Sequence, residues 1–302
     1  MTRRRKLVLG FFGLLVALVV GLGIWAYVLV AGLDDVQRFE VDLPRDGSRP
    51  AAAPDPEAET ILLAGVDNGQ RDDLQEMLAS GDWTPGAFRS DAIMVLHLPA
   101  DRRRASLVSI PRDSWVPVEG YGDQKINAAF SYGGPSLLAQ TVEDVIDVRL
   151  DHVMVVDWAG FRGITEAVGG VELGGEQLGP EEALAYVRER KTLPNGDFDR
   201  VERQREYLLG VLGSLREQDV WSSPVTLTRT VNSLDDFVSV DSSLGNRELI
   251  DLGWSSRDIS PSQLRTLTAP HNGTGTVDGQ SIVNLDVEET RNLFDQLVGR
   301  NG

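Results

Sequence analysis

Polarity divides the chain into three blocks. The first, Leu7 to Leu33, is a run of about 27 residues without a charge, against the roughly 20 that a helix needs to cross a bilayer. Arg3-Arg4-Arg5-Lys6 precedes it, and such a basic flank stays on the cytoplasmic side. A cleaved leader would have a shorter apolar core and a small-residue cleavage site. Residues 1–33 therefore read as a cytoplasmic tip and an uncleaved transmembrane helix, with everything after it outside the cell. Residues 34–58 turn polar and end in Arg49-Pro-Ala-Ala-Ala-Pro-Asp-Pro-Glu57, which predicts a tether with too few apolar positions to pack.

From residue 59 to 302 the periods are those of a folded domain. Thr60-Ile-Leu-Leu-Ala-Gly65-Val-Asp67 and Ala92-Ile-Met-Val-Leu-His97 are short apolar runs of the kind that form buried strands. Between them, residues 70–88 are acidic and broken by Trp83, Pro85 and Gly86, which predicts a surface loop or lid. Pro99 to Arg104 joins the second strand to Ala105-Ser-Leu-Val-Ser-Ile110 as an antiparallel hairpin, and Pro111-Arg112-Asp113-Ser114 closes that third strand. Lys125-Ile-Asn127 opens a helix and Gly133-Gly134-Pro135 starts another. Asp151 to Asp157 reads as a strand, Ala159 to Val168 as the helix after it, and Gly169-Gly170 as a turn into a short strand. Residues 225–255 suggest more helix, Thr266 to Pro270 and Ser281 to Leu285 suggest strands, and Asp286 with Glu289 caps a last helix. Strands alternating with helices indicate an α/β layered domain, and the hairpin makes its sheet mixed.

Charge then singles out one window. The chain carries a formal charge of −17, yet Leu184-Ala-Tyr-Val-Arg188-Glu-Arg190-Lys191 and Asn195-Gly-Asp197-Phe-Asp199-Arg200-Val-Glu-Arg203-Gln204-Arg205 hold six basic residues against four acidic ones. Asp199 with Glu202 reads as a capping box that starts a helix at Arg200. Val201, Leu208, Leu212 and Leu215 would form its buried stripe, with Arg200 and Gln204 together at one edge and Arg203 on the opposite side. Planar guanidinium forks suit bidentate phosphate binding, so this window is either an anion site or a solvated helix face. The acidic balance argues against nucleic acid as a partner. Cysteine is absent, which removes disulfides and thiol sites. His97, His152 and His271 lack metal-ligand spacing.

Taken in order, Leu-Ala-Gly-x-Asp67, Arg89-Ser-Asp91, Val108-Ser-Ile-Pro-Arg112-Asp113, Lys125-Ile-Asn-Ala-Ala, Asp151-His, Asp157-x-x-Gly-Phe161, Gly169-Gly-Val, Tyr186-Val-Arg188-x-Arg190 and Gly196-Asp197-x-x-Arg200-x-x-Arg203-Gln204 closely resemble the LytR-CpsA-Psr family. The resemblance spans about residues 60–215. It implies an α/β/α sandwich with a lipid-holding apolar channel. It also implies an extracytoplasmic phosphotransferase that moves a glycopolymer from a polyprenyl-pyrophosphate carrier to a sugar hydroxyl of peptidoglycan, through a phosphodiester.

By the same resemblance Arg89, Arg112, Arg188, Arg190, Arg200 and Gln204 cradle the pyrophosphate, while Asp67 and Asp91 hold magnesium (Mg2+), the expected cofactor. Asp91 and Arg112 are the expected catalytic pair, with Asp91 a candidate to accept the proton of the acceptor hydroxyl. Asp197 is a candidate to orient an arginine, and Lys125 to pair with phosphate or with Asp123. Asp151, His152 and Asp157 are expected to anchor their strand. The loop of residues 70–88 is longer than the family's usual link, which leaves the place of Arg71 open. Two other readings stand beside the transferase: a non-catalytic anchored binder of lipid-linked polymer, and a hydrolase that uses water as acceptor.

Overall fold

The computed structural model describes residues 33–34, 36–44, 47–67, 71, 73–189, 197–218, 220, 226–228 and 238–300. The expected transmembrane helix, Arg190 and the turn through Gly196 lie outside them. Among the described residues no helix is long and apolar enough to cross a membrane.

In chain order the elements are β1 (Gln37–Phe39), β2 (Glu59–Asp67), α1 (Leu74–Ser80), β3 (Arg89–Leu98), β4 (Ala105–Ser109), β5 (Trp115–Val118), β6 (Gly122–Lys125), α2 (Ile126–Ile146), β7 (His152–Asp157), α3 (Trp158–Ala167), β8 (Val171–Leu173), β9 (Glu176–Leu178), α4 (Pro180–Arg188), α5 (Asp197–Glu217), β10 (Ser239–Asp241), α6 (Asn246–Ser256), β11 (Leu264–Thr268), β12 (His271–Val277), β13 (Gln280–Leu285) and α7 (Val287–Val298). Seven strands form one sheet in the order β1-β10-β7-β2-β3-β4-β11. β2 pairs antiparallel with β3 and parallel with β7, and β3 is antiparallel to β4. The mixed sheet and the hairpin are as the sequence predicts.

Side-chain alternation along the strands gives the sheet two apolar faces. Leu62, Ala64, Val66, Ile93, Val95 and Val108 point to one face and pack with Phe130, Leu138 and Val142 of α2 and Phe294 of α7. On the other face Ile61 and Leu63 meet Leu212 of α5 and Leu252 of α6. Phe161, Val187 and Tyr207 tie α3, α4 and α5 to one another. Helices on both sides make an α/β/α sandwich.

α2 is two helices joined at Gly133 and Gly134, as expected from Gly-Gly-Pro. Gly134 has φ +65° and a Cβ there would stand 2.9 Å from the Trp83 ring, so backbone conformation and close packing both demand glycine. Trp83 stacks edge-on against Phe130 at 5.0 Å and donates its indole N–H to the Ser131 carbonyl. Residues 73–88 are thus no surface excursion. Leu74, Met77, Leu78 and Phe88 are buried in the main core, and seven of these residues form α1. Acidic composition hid an amphipathic turn too short for its period to register.

The expected tether is also packed. β1 extends the sheet beside β10, Phe39 is buried and Val41, Leu43 and Ala53 lean on the core. Arg49 forks onto Glu143, with Nε 2.9 Å from Oε2, and Glu143 also accepts from the Leu150 N–H. A three-residue edge strand carries too little pattern to read from sequence, and the same holds for β10, which replaces part of the helix expected over 225–255. β12 was likewise missed, because Gly273 and Gly275 dilute it.

Asp151 accepts from the Thr60 N–H at 2.8 Å and His152 pairs with Asp241 at 3.2 Å, so both anchor strands as expected. Burial opposes charge on His152, but the Asp241 hydrogen bond and carboxylate outweigh it and raise its pKa. Burial likewise works against the Asp241 carboxylate, which His152, the Ser243 hydroxyl and the Val153 N–H together pull below its usual value. The His152 contribution is full below about pH 6.5 and is lost as pH rises through the raised value. The Asp241 contribution is present above about pH 4 and is lost as pH falls through the lowered one. Urea unfolding from pH 6 to 9 should show wild type losing stability relative to His152→Asn. Parallel curves would remove the pair from the account. Arg49→Ala should cost about 3 kcal/mol in the same measurement, because it strands a buried carboxylate.

Candidate active site

One irregularity organises the site. β2 and β3 pair regularly up to Gly65 with Ala92, then Val66 with Ser90 and Asp67 with Arg89. Asp91 is the residue left over, a β-bulge that re-aims its side chain. Strict alternation would send Asp91 to the α2 face with Ile93 and Val95. The bulge turns it instead to the face of Gly65 and Asp67. Gly65 permits this: a Cβ there would lie 2.9 Å from the Ala92 Cβ.

Asp91 is buried at 7% exposure, and its carboxylate is compensated from two sides. The Arg112 Nη1 donates to Oδ1. Arg200 Nη1 lies 3.9 Å from Oδ2, and its Nη2 donates to the Asp91 carbonyl at 3.2 Å. Arg112 reaches Asp91 because β4 runs antiparallel to β3 and delivers the Pro111–Ser114 turn to this end of the sheet. That turn is held by the Ile126 N–H on the Ser114 carbonyl and the Val283 N–H on the Asp113 carbonyl. Lys125 pairs with Asp113 at 3.1 Å, not with Asp123.

Arg200 is 1% exposed. α5 begins by Asp197, so Asp199 lies within the helix and is not its N-cap. The inward side of the first two turns is Arg200, Val201, Gln204 and Tyr207. Leu208, Leu212 and Leu215, expected to be buried, are only half-buried. Arg203 is not plain surface: it donates to the Tyr186 carbonyl at 2.9 Å and stacks over the Tyr186 ring. The side chain of Asp197, a candidate to orient an arginine, is outside the described residues.

Asp67, Asp91, Trp158, Val187, Arg188, Arg200 and Gln204 enclose a polar cavity of about 190 Å³. Arg188 stands over the Trp158 ring, Cζ 5.1 Å from its centroid, with Nη2 3.9 Å from Asp67 Oδ2. Asp157 positions Trp158 by accepting from the Gly160 N–H at 2.8 Å as the N-cap of α3. Arg112 is not in the wall and acts through Asp91. Arg89 is exposed beside Asp67 and does not join the cavity, while Arg190 is outside the described residues. Arg71 pairs with Asp73 at the surface. In the wall Arg188 and Arg200 match Asp67 and Asp91 in number, and Arg112, behind Asp91, adds a positive charge that it shares with Asp113.

The resemblance implies an apolar channel, but sequence reasoning assigned to it none of the residues that line the space behind this cavity. Leu63, Met94, Met154, Ile164, Tyr207 and Leu208 line much of a second, apolar cavity of about 270 Å³, which shares Trp158, Val187 and Gln204 with the first. Gln204 Oε1 and Trp158 Nε1 are buried without a hydrogen-bond partner. Leaving such atoms unpaired costs about 1–3 kcal/mol each, which points to a ligand at the junction. Tyr207 bonds Thr165 and the Phe161 carbonyl. Its burial raises the phenol's pKa and keeps it neutral. Trp158 stood inside a recognised motif, at a position where the motif specifies nothing.

The donor chemistry of Asp67 and Asp91 suits a hard divalent cation, since magnesium takes one or two carboxylates and fills its shell with phosphate oxygens and water. Among the described residues no three His, Cys, Asp or Glu side chains gather as a metal site.

The family model LytR_cpsA_psr matches residues 40–177 and 172–298. The cell wall biosynthesis protein LcpA of Corynebacterium glutamicum is 28% identical over 97% of this chain and 65% of its own length. LcpB of the same organism, a probable cell wall biosynthesis protein, is 38% identical over 61% of this chain. The chain thus spans 65% and 46% of the lengths of these two relatives. TagU of Enterococcus faecalis, a polyisoprenyl-teichoic acid–peptidoglycan teichoic acid transferase, is 27% identical over 98% of both chains. Among solved structures, the LytR-Csp2A-Psr enzyme from Actinomyces oris superposes with a TM-score of 0.65 at 20% identity, covering 87% of this chain and 96% of that one. That likeness concerns the fold.

Gly65→Ala should lower stability by about 2 kcal/mol by overpacking the bulge, read in urea unfolding. Gly213→Ala, where a Cβ meets nothing, should cost no stability. Equal stability of the two variants would show that the bulge does not need the glycine.

Proposed function

Because this chain belongs to the LytR_cpsA_psr family, we propose that it is a membrane-anchored extracytoplasmic phosphotransferase that joins a glycopolymer to peptidoglycan. The donor is the glycopolymer on a polyprenyl pyrophosphate and the acceptor a peptidoglycan sugar hydroxyl. The observation that carries this reading is the shared wall of Trp158, Val187 and Gln204 between an arginine-lined cavity and an apolar one. That shape fits an amphiphile with a multiply charged head and a hydrocarbon tail. The transferase name of TagU supports the same class of reaction. The uncharged run of Leu7 to Leu33 behind Arg3 to Lys6 supports the anchor and its orientation.

In the proposed step the acceptor hydroxyl oxygen attacks the phosphorus that bears the glycopolymer. The bond from that phosphorus to the bridging oxygen breaks, and polyprenyl phosphate leaves with the bonding pair. The acceptor proton passes to a carboxylate. Both oxygens of Asp91 face guanidinium groups, and Asp67 lies 3.9 Å from Arg188. Asp67 and Asp91 are the two carboxylates in the cavity wall that can take the proton, and Asp91 also fixes Arg112 and Arg200 where charge builds. Arg188 and Arg200 bind the diphosphate oxygens in this scheme, and Arg112 adds its charge from behind Asp91. Asp67 and Asp91 would also hold a magnesium ion, whose chemistry there is to neutralise those oxygens.

The test uses the full chain with a polyprenyl-pyrophosphate-linked sugar, peptidoglycan fragments and magnesium, following lipid phosphate release and mass gain of the acceptor. Asp91→Ala and Arg200→Ala should each reduce mass gain by about 100-fold or more, and chelation should abolish it. Lipid phosphate release without mass gain would replace the transferase by a hydrolase. Binding without turnover would make it a scaffold.

A further inference from the structure

The start of the described chain lies at a defined height on the sheet. β1 is parallel to β10, with Gln37 opposite Ser239, and Ser239 lies opposite Val155 of β7. Val155 pairs with Ala64, and two steps on Asp157 pairs with Val66. Gln37 is therefore level with the catalytic half of the sheet. Leu33 and Asp34 precede it, where the Val36 N–H bonds the Leu33 carbonyl and turns the chain. The uncharged run of Leu7 to Leu33 ends there.

What receives the chain at that point is α6. Asn246, its first residue, donates to Asp34 and accepts from Arg38. Leu33 and Val36 pack with Val240, Leu244, Leu249 and Ile250, and with Met154 and Val238. Met154 and Val238 also line the apolar cavity. One apolar cluster thus joins the exit of the uncharged run, α6 and the wall of that cavity.

α6 has no fully buried residue. Its Trp254 is 51% exposed, more than any other large apolar side chain among the described residues, and Arg257 stacks on its ring at 4.6 Å. Tryptophan and arginine both suit the headgroup layer of a bilayer. The charges around it are balanced, with Arg247 near Asp251 and Arg257 near Asp258, so burial of the indole and not anionic attraction supplies the contact.

We propose that α6 is an interfacial helix that rests on the outer membrane leaflet beside the anchor, with Trp254 in the headgroup region, and so holds the apolar cavity at the bilayer surface. The occupant of this face is lipid. The inference rests on the anchored reading above and adds a second membrane contact within the folded domain. Its consequence is that the polyprenyl tail need not leave the bilayer completely to enter the cavity.

The absence of cysteine allows a direct test in the full chain. Trp254→Cys and Tyr121→Cys each carry a single nitroxide label in protein reconstituted into phosphatidylcholine vesicles. Tyr121 is comparably exposed, at 45%, and lies on the β5–β6 hairpin that packs against α2. Electron spin resonance then compares relaxation by oxygen, which concentrates in the bilayer, with relaxation by a water-soluble nickel chelate. Label 254 should be relaxed more by oxygen and label 121 more by nickel. Nickel-dominated relaxation at both positions, in protein that floats with the vesicles, would overturn the interfacial helix and leave the anchor standing. Protein that fails to float would overturn the anchor and this inference together.

Discussion

Burying the carboxylate of Asp91 is costly unless it is paired and hydrogen-bonded, and the structure meets that cost with guanidinium groups from two distant parts of the chain. Arg112 arrives from the end of β4 and Arg200 from the start of α5. Neither could remain so deeply placed without the carboxylate, and the carboxylate reaches them only through the bulge in β3. The charge cluster is therefore a folding constraint as much as a chemical device. It pins α5 against the sheet end, which in turn places Gln204 and Tyr207 over the apolar cavity. A site assembled this way has its cations fixed before any ligand arrives, which is the condition under which they assist catalysis most.

The sheet separates two kinds of packing. On the α2 and α7 side the core is continuous and closed, with Phe130, Leu138 and Phe294 fully buried. On the other side α3, α4 and α5 leave a cavity between themselves and β2, β3 and β7. Rigidity is thus concentrated on one face and room for a ligand on the other. The strands between them carry Asp67 and Asp91 at one end.

Much of this was legible in the sequence. The apolar runs at β2, β3 and β7, the Gly-Gly-Pro break in α2 and the Asp286 cap are local signals, and the structure follows them. Asp67, Asp91, Arg188, Arg200 and Gln204 were named from motifs and do surround one cavity. What could not be read was relational. The turning of Asp91 depends on a register shift against Gly65. The packing of residues 73–88 depends on a groove at Trp83 and Gly134 formed by elements far away in sequence. Arg89 was included from the Arg89-Ser-Asp91 motif; it pairs with Asp67 across the strands but is exposed and outside the cavity lining. Short edge strands such as β1 and β10 owe their existence to their partners and not to their own composition.

The pairing of β1 with β10 joins segments on the order of two hundred residues apart, a long-range contact of the kind that forms late in folding. A chain emerging N-terminus first would present β1 and the edge of β7 unpaired until residue 241 had followed. Until then the sheet has an open edge, and open edges invite wrong partners. In the anchored arrangement proposed above, the segment nearest the membrane would be among the last to settle, and export and folding would be coupled through a strand of three residues.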